Sequence, residues 1–161
     1  MNVYKTNKAL VFMVMGVLFS TMAIAGSFTA QSSAGVIQAW DTVPVAEGSL
    51  IELIWVGPDG EIDPPNADEV ADDLGAVTDD DVFIRSTHVG NGYISGLSDG
   101  RFTKLFTHTE ITAGKDVYLR VWDTDVVSSA DDSYGDSDIY TIQTAVETEQ
   151  NDFGTIYIDT F

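Results

Sequence analysis

Asp116-Val117-Tyr118-Leu119-Arg120-Val121-Trp122 alternates strictly: Val117, Leu119 and Val121 on one side, Tyr118, Arg120 and Trp122 on the other. A helix repeats every 3.6 residues and cannot place three consecutive odd positions on one face; a strand does so by construction. The segment therefore reads as a strand with one face on a core. Its other face meets solvent, a ligand or a covering layer. Working outward, six further runs share its character: Val36–Val43, Leu50–Val56, Val82–Val89, Arg101–Thr107, Ile139–Val146 and Thr155–Phe161. Each is short, rich in β-branched and aromatic residues, and bounded by Gly, Pro, Asn or Asp. In Leu50–Val56 both faces are apolar except at Glu52, which predicts a central strand covered on both sides. Asn91-Gly92 and Ser98-Asp99-Gly100 read as hairpin-type turns, and Asn66–Leu74 as a possible short helix. About seven strands in one domain spanning residues 36–161 predict an all-β antiparallel β-sandwich, Ig-like or jelly-roll in style.

The N-terminus carries a different pattern. Lys5 and Lys8 precede an apolar run, Ala9–Phe19, broken only by Gly16, and Ala23-Ile24-Ala25 follows. That is the layout of a secretory signal peptide over residues 1–25, with cleavage after Ala25. The run falls short of the ~20 residues that span a bilayer, so no membrane span is expected after cleavage. Residues 26–35, GSFTAQSSAG, are small and polar and read as a flexible N-terminal arm. The address is extracellular or periplasmic. With no cysteine in the chain, no disulfide can brace the exported domain.

Charge narrows the partners. The chain holds 26 acidic and seven basic residues, a formal net charge of −19. It repels nucleic acid and attracts cations. Asp outnumbers Glu 19 to 7, and Asp favours turns over strands, which puts the charge in loops. A solvated acidic surface, as in proteins of saline habitats, would leave the same composition.

Two loops concentrate the acids. The segment 123–138 supplies Asp123, Asp125, Asp131, Asp132, Asp136 and Asp138, six carboxylates in sixteen residues. Crowded carboxylates repel one another unless a cation lies between them, and Ca²⁺ accepts six to eight mixed oxygens in flexible geometry. The spacing is not that of an EF-hand. The segment 57–81 offers a second set in Asp63, Asn66, Asp68, Asp72 and Asp73, with Pro64-Pro65 stiffening the approach. Two histidines and no thiolate make a transition-metal site a poor expectation. No nucleophile motif is present. The paired carboxylates of a glycosidase exclude nothing in so acidic a chain. Tyr118 and Trp122, flanking Arg120, are candidates for stacking on sugar rings; the competing expectation is that they lie beneath a loop or a second sheet.

The segments Val56-Gly-Pro-Asp-Gly-Glu-Ile-Asp-Pro-Pro-Asn66, Val117-Tyr-Leu-Arg-Val-Trp-Asp123 and Tyr134-Gly-Asp-Ser137 resemble those of uncharacterised exported bacterial β-rich proteins, where strand, loop and YGDS recur in the same order. The resemblance implies export and β-structure and carries no activity. Taken together, the sequence predicts a non-enzymatic structural or adhesive β-sandwich module stabilised by Ca²⁺ in its acidic loops. A carbohydrate-binding module recognising surface polysaccharide is the alternative, and a small outer-membrane β-barrel the third. Self-association through sheet edges, notably the last strand, is the expected assembly mode.

Overall fold

The computed structural model describes residues 26–39, 41–65, 70–71, 74–75, 77–90, 100–128, 132–143 and 150–159. The signal-peptide reading of residues 1–25 lies outside them, as do Asn91-Gly92 and Ser98-Asp99. The described residues contain twelve strands and no helix. They are β1 (Gly26–Ser32), β2 (Gly35–Gln38), β3 (Leu50–Trp55), β4 (Val70–Ala71), β5 (Leu74–Gly75), β6 (Val82–His88), β7 (Phe102–His108), β8 (Asp116–Trp122), β9 (Tyr134–Asp136), β10 (Tyr140–Thr141), β11 (Gln150–Asp152) and β12 (Thr155–Ile158). Every one of the seven expected runs contributes a strand.

The strands form a β-sandwich that does not close into a barrel. One sheet runs β11-β1-β7; the other runs β10-β8-β3-β6, with β9 beside the far half of β8. Between them lies a core built by period-two alternation: Phe28 and Ala30 from β1, Phe102 and Phe106 from β7, Ile51 and Leu53 from β3, and Val117, Leu119 and Val121 from β8. The expected central strand is β3, paired antiparallel to both β6 and β8. Its second face is also covered. Leu50, Trp122 and Val127 form one apolar cluster there, and Ile54, Val56 and Tyr118 another, roofed by the loops that follow β3, β5 and β8.

Three local expectations are corrected. Gly26–Gly35 is not a flexible arm. Its first seven residues are β1, antiparallel to all of β7 and parallel to β11. Phe28 and Ala30 are wholly buried, so alternation was present but carried partly by small residues. Within Asn66–Leu74 the described residues are strand and not helix: Val70–Ala71 pairs antiparallel with Leu74–Gly75, a local pairing that replaces the expected short helix. Nor do β6 and β7 form a hairpin, since β6 pairs with β3 and β7 with β1, in different sheets.

Two pairings are parallel. β1 leads on to β2, and β11 to β12, so a parallel pair leaves the first sheet together, turns a corner and forms a separate two-stranded sheet. The corner is stitched by side chains. Asp152 accepts from Ser33 N at 3.3 Å, from Gly154 N at 3.0 Å and from the Ser33 hydroxyl, while Ser32 Oγ donates to Gly154 O at 2.6 Å. Phe28, Tyr140 and Phe153 pack as an aromatic trio with centroids 5.7 to 6.1 Å apart. The last strand is therefore not wholly open: β2 covers one of its edges.

Candidate metal centre

The loops leaving β3 and entering β6 meet over the second face of the sheet, and one buried carboxylate joins them. Asp81 takes N–H bonds from Gly57 at 3.2 Å and Asp63 at 3.1 Å, and the Tyr118 hydroxyl at 2.8 Å. Burial first, and this bond to Asp81 with it, raise the Tyr118 hydroxyl pKa well above its ordinary value, so Tyr118 stays a donor. Around that anchor the turn Gly57–Gly60 closes through Gly60 N to Gly57 O, and Asp59 N donates to Asp80 Oδ2 at 3.2 Å. Gly57 has no alternative here, because a Cβ would overlap the Asp80 side chain and carbonyl.

This folding brings Asp59, Asp63 and Asp80 together, with one carboxylate oxygen from each lying within 4.8 Å of the others. Oxygens that share a Ca²⁺ at 2.3–2.6 Å stand no farther than about 5 Å apart, so the spacing fits. Two side-chain oxygens, Asp63 Oδ2 and Asp80 Oδ1, are buried and accept no hydrogen bond. The Asp63 carboxyl is raised above its ordinary pKa, first by loss of hydration and then by Asp81, Asp79, Asp59 and Asp80. The donors are all oxygen, which suits a hard divalent cation and not zinc. Arg120 fixes the loop from below, its Nη2 donating to the Asp63 carbonyl at 2.6 Å.

Of the acids expected as ligands, Asp63 alone stands in this cluster. Asn66, Asp68, Asp72, Asp73 and Asp131 lie outside the described residues. The 123–138 loop does not gather its carboxylates: among the described residues, no three of them converge. Asp123 accepts from Gln38 Nε2 at 2.7 Å, and Asp132 takes the Ser128 N–H at 2.7 Å. Asp125 and Asp138 are exposed. Asp136 is held bidentate by Arg120, at 2.7 Å from Nε and 2.8 Å from Nη2, which occupies both of its oxygens. Among the described residues the 123–138 acids are therefore not brought to one point: Asp123 bonds β2, Asp132 closes a turn and Asp136 is held in an internal ion pair. Asp59 and Asp80 are not among the expected acids, although a Pro-Asp-Gly turn and three consecutive aspartates ahead of a strand mark both positions.

The aromatic reading is corrected too. Tyr118 and Trp122 are 0% and 3% exposed and cannot stack on a sugar. Trp122 Nε1 donates to the buried Glu52 carboxylate at 2.8 Å. His88 and His108 lie on β6 and β7, in different sheets, and join no cluster of metal-ligating groups among the described residues. No protein-family model, curated protein or solved structure matches the chain.

Proposed function

We propose that the chain is an exported, non-enzymatic structural or adhesive β-sandwich module whose loop end is braced by Ca²⁺ at Asp59, Asp63 and Asp80. The observation that carries the metal reading is the pair of buried carboxylate oxygens, Asp63 Oδ2 and Asp80 Oδ1, left without a hydrogen bond inside a group of three acids. Burying such oxygens unpaired is costly, and a cation shared among them removes the cost. A brace at this place also suits an exported domain without disulfides, because it ties the loop after β3 to the loop before β6. The structural or adhesive role rests on the β-sandwich, on an acidic composition, and on a second face whose buried polar groups, Glu52, Asp81 and Arg120, are bonded within the fold. Export rests on the layout of residues 1–25, and the mass of the secreted product, expected to begin at Gly26, checks it.

Thermal unfolding in Ca²⁺, in Mg²⁺ and in NaCl of matched ionic strength tests the metal reading. A ligand bound only to the native state adds about 2.7 kcal/mol at a hundredfold excess over Kd, a rise of several degrees for a domain of this size. Ca²⁺ is expected to produce that rise over NaCl, Mg²⁺ to produce less, and Asp80→Asn to remove it. Equal melting temperatures in all three salts would leave screening as the sole effect of cations.

A further inference from the structure

Lys104 stands where the alternation of β7 calls for an apolar side chain. Phe102 and Phe106, two residues to either side, are buried in the core, and the intervening Leu105 is half exposed on the opposite face. Lys104 shares the face of the two phenylalanines and is 8% exposed. Asn151, on β11, is 3% exposed. The strand between β7 and β11 is β1, and one of its residues faces both: Ala30 is opposite Lys104 on one side and opposite Asn151 on the other. Residues opposite one another in a sheet project to the same face. Lys104, Ala30 and Asn151 therefore form a row across the core side of the sheet, with the smallest side chain in the middle.

The row has the dimensions of a cross-link. Two strand spacings, about 10 Å, separate the backbones of Lys104 and Asn151. A lysine stem of five bonds extends about 6 Å from its Cα, an asparagine Cγ lies about 2.5 Å from its own, and an amide bond adds about 1.3 Å. A side chain as small as that of Ala30 leaves the path between them open. Asn151 Nδ2 donates to the Thr29 carbonyl at 3.4 Å, which sets the amide against β1. Loss of hydration lowers the Lys104 pKa, which favours the neutral, nucleophilic amine.

We infer that Lys104 and Asn151 condense to an intramolecular isopeptide bond that ties β7 to β11 across β1. The Nζ lone pair attacks Cγ of Asn151. The Nζ–Cγ bond forms, the Cγ–Nδ2 bond breaks, and Nδ2 leaves as ammonia with a proton taken from Nζ. Counted from the lysine ammonium, the products are one neutral amide and one ammonium ion, so no oxidant or cofactor takes part. Two side chains held in one row react as parts of a single molecule, the condition in which proximity lowers a barrier most. The reaction also replaces a buried cation, costly in an apolar core, by a neutral amide. In a chain without cysteine it supplies a cross-link that restrains the unfolded state as a disulfide does.

The test is mass spectrometry of the folded full chain, as purified and after incubation at mildly alkaline pH. The expected mass is about 17 Da, one ammonia, below that of the sequence counted from the observed N-terminus. A tryptic digest should yield one branched peptide carrying both Lys104 and Asn151, with no cleavage after Lys104. Lys104→Arg and Asn151→Ala should each restore the full mass. A chain of full mass, with Lys104 and Asn151 in separate linear peptides, would overturn the inference. So would a loss of ammonia that persists in Lys104→Arg and maps to Asn151 alone, since that is a cyclic imide closed on the Asp152 backbone nitrogen. The digest of the unaltered chain decides the matter even where a variant fails to fold. Neither Lys104 nor Asn151 belongs to the group of Asp59, Asp63 and Asp80, and the mass is read without Ca²⁺, so this result and the metal test stand or fall separately.

Discussion

Arg120 is charged, wholly buried, and seated on a strand face whose alternation alone is compatible with solvent. Its guanidinium pairs with Asp136, bonds the Asp63 carbonyl, and lies 4.7 Å from the Tyr134 ring centroid and 5.4 Å from that of Tyr118. Losing one partner of a buried pair strands the other charge, at a cost of about 3–5 kcal/mol. Arg120→Met is expected to destabilise the fold by that order in urea unfolding at pH 7. Adding Asp136→Leu should recover much of the loss, because the stranded carboxylate goes with it. Asp63 shows the opposite balance. Its carboxyl pKa is raised above the ordinary 3.8, so the folded chain holds that proton more readily than the unfolded chain. Without Ca²⁺, stability contributed by this group therefore falls as pH rises from about 3.8 through the raised value, and the full penalty is present at neutral pH. Asp63→Asn should raise the Ca²⁺-free melting temperature at pH 7 and abolish the response to Ca²⁺. A variant that lowers both would make Asp63 a structural acid only.

Among the elements, β1 departs most from its sequence reading. It is flanked by β7 and β11, and Phe28 packs against Tyr140 and Phe153 at the centre of the core. Phe28→Ala should cost about 3–5 kcal/mol, as expected for truncating a buried aromatic side chain, measured by chemical denaturation. A loss below 1 kcal/mol would return residues 26–32 to the status of an arm. The corner after β1 depends on Asp152, whose carboxyl is held below its ordinary pKa, chiefly by the Ser33 hydroxyl. That contribution is present above the unfolded value of 3.8 and lost as pH falls through the lower folded value. The acid limb of the stability profile thus combines two groups of opposite sign, one at the corner and one in the loop cluster.

At the scale of the whole molecule, a net charge of −19 makes the compact state repel itself. Raising NaCl from 0.05 to 0.5 M should therefore raise the melting temperature progressively, with or without Ca²⁺, because screening acts on all carboxylates at once. A Ca²⁺ effect that disappears in 0.5 M NaCl would belong to this general term. One that persists belongs to close coordination, which screening reaches far less.

Sequence alone was sufficient for the fold class, since alternation in 116–122 and the two-sided apolarity of 50–56 are local consequences of strand geometry and burial. The covered second face of β3 was legible for the same reason. The strand of residues 26–32 was not, because Gly, Ser, Thr and Ala carry little hydrophobic contrast and their burial comes from neighbours supplied by β7 and β11. The sequence also located the acids in loops, but not which of them converge. Asp59, Asp63 and Asp80 meet because Asp81 and Arg120 pull two loops, some twenty residues apart, onto one sheet face. Asp136, in the more crowded loop, is drawn instead to a cross-strand arginine. Carboxylate density is a property of the chain; convergence depends on which strands pair, and only the tertiary structure decides that.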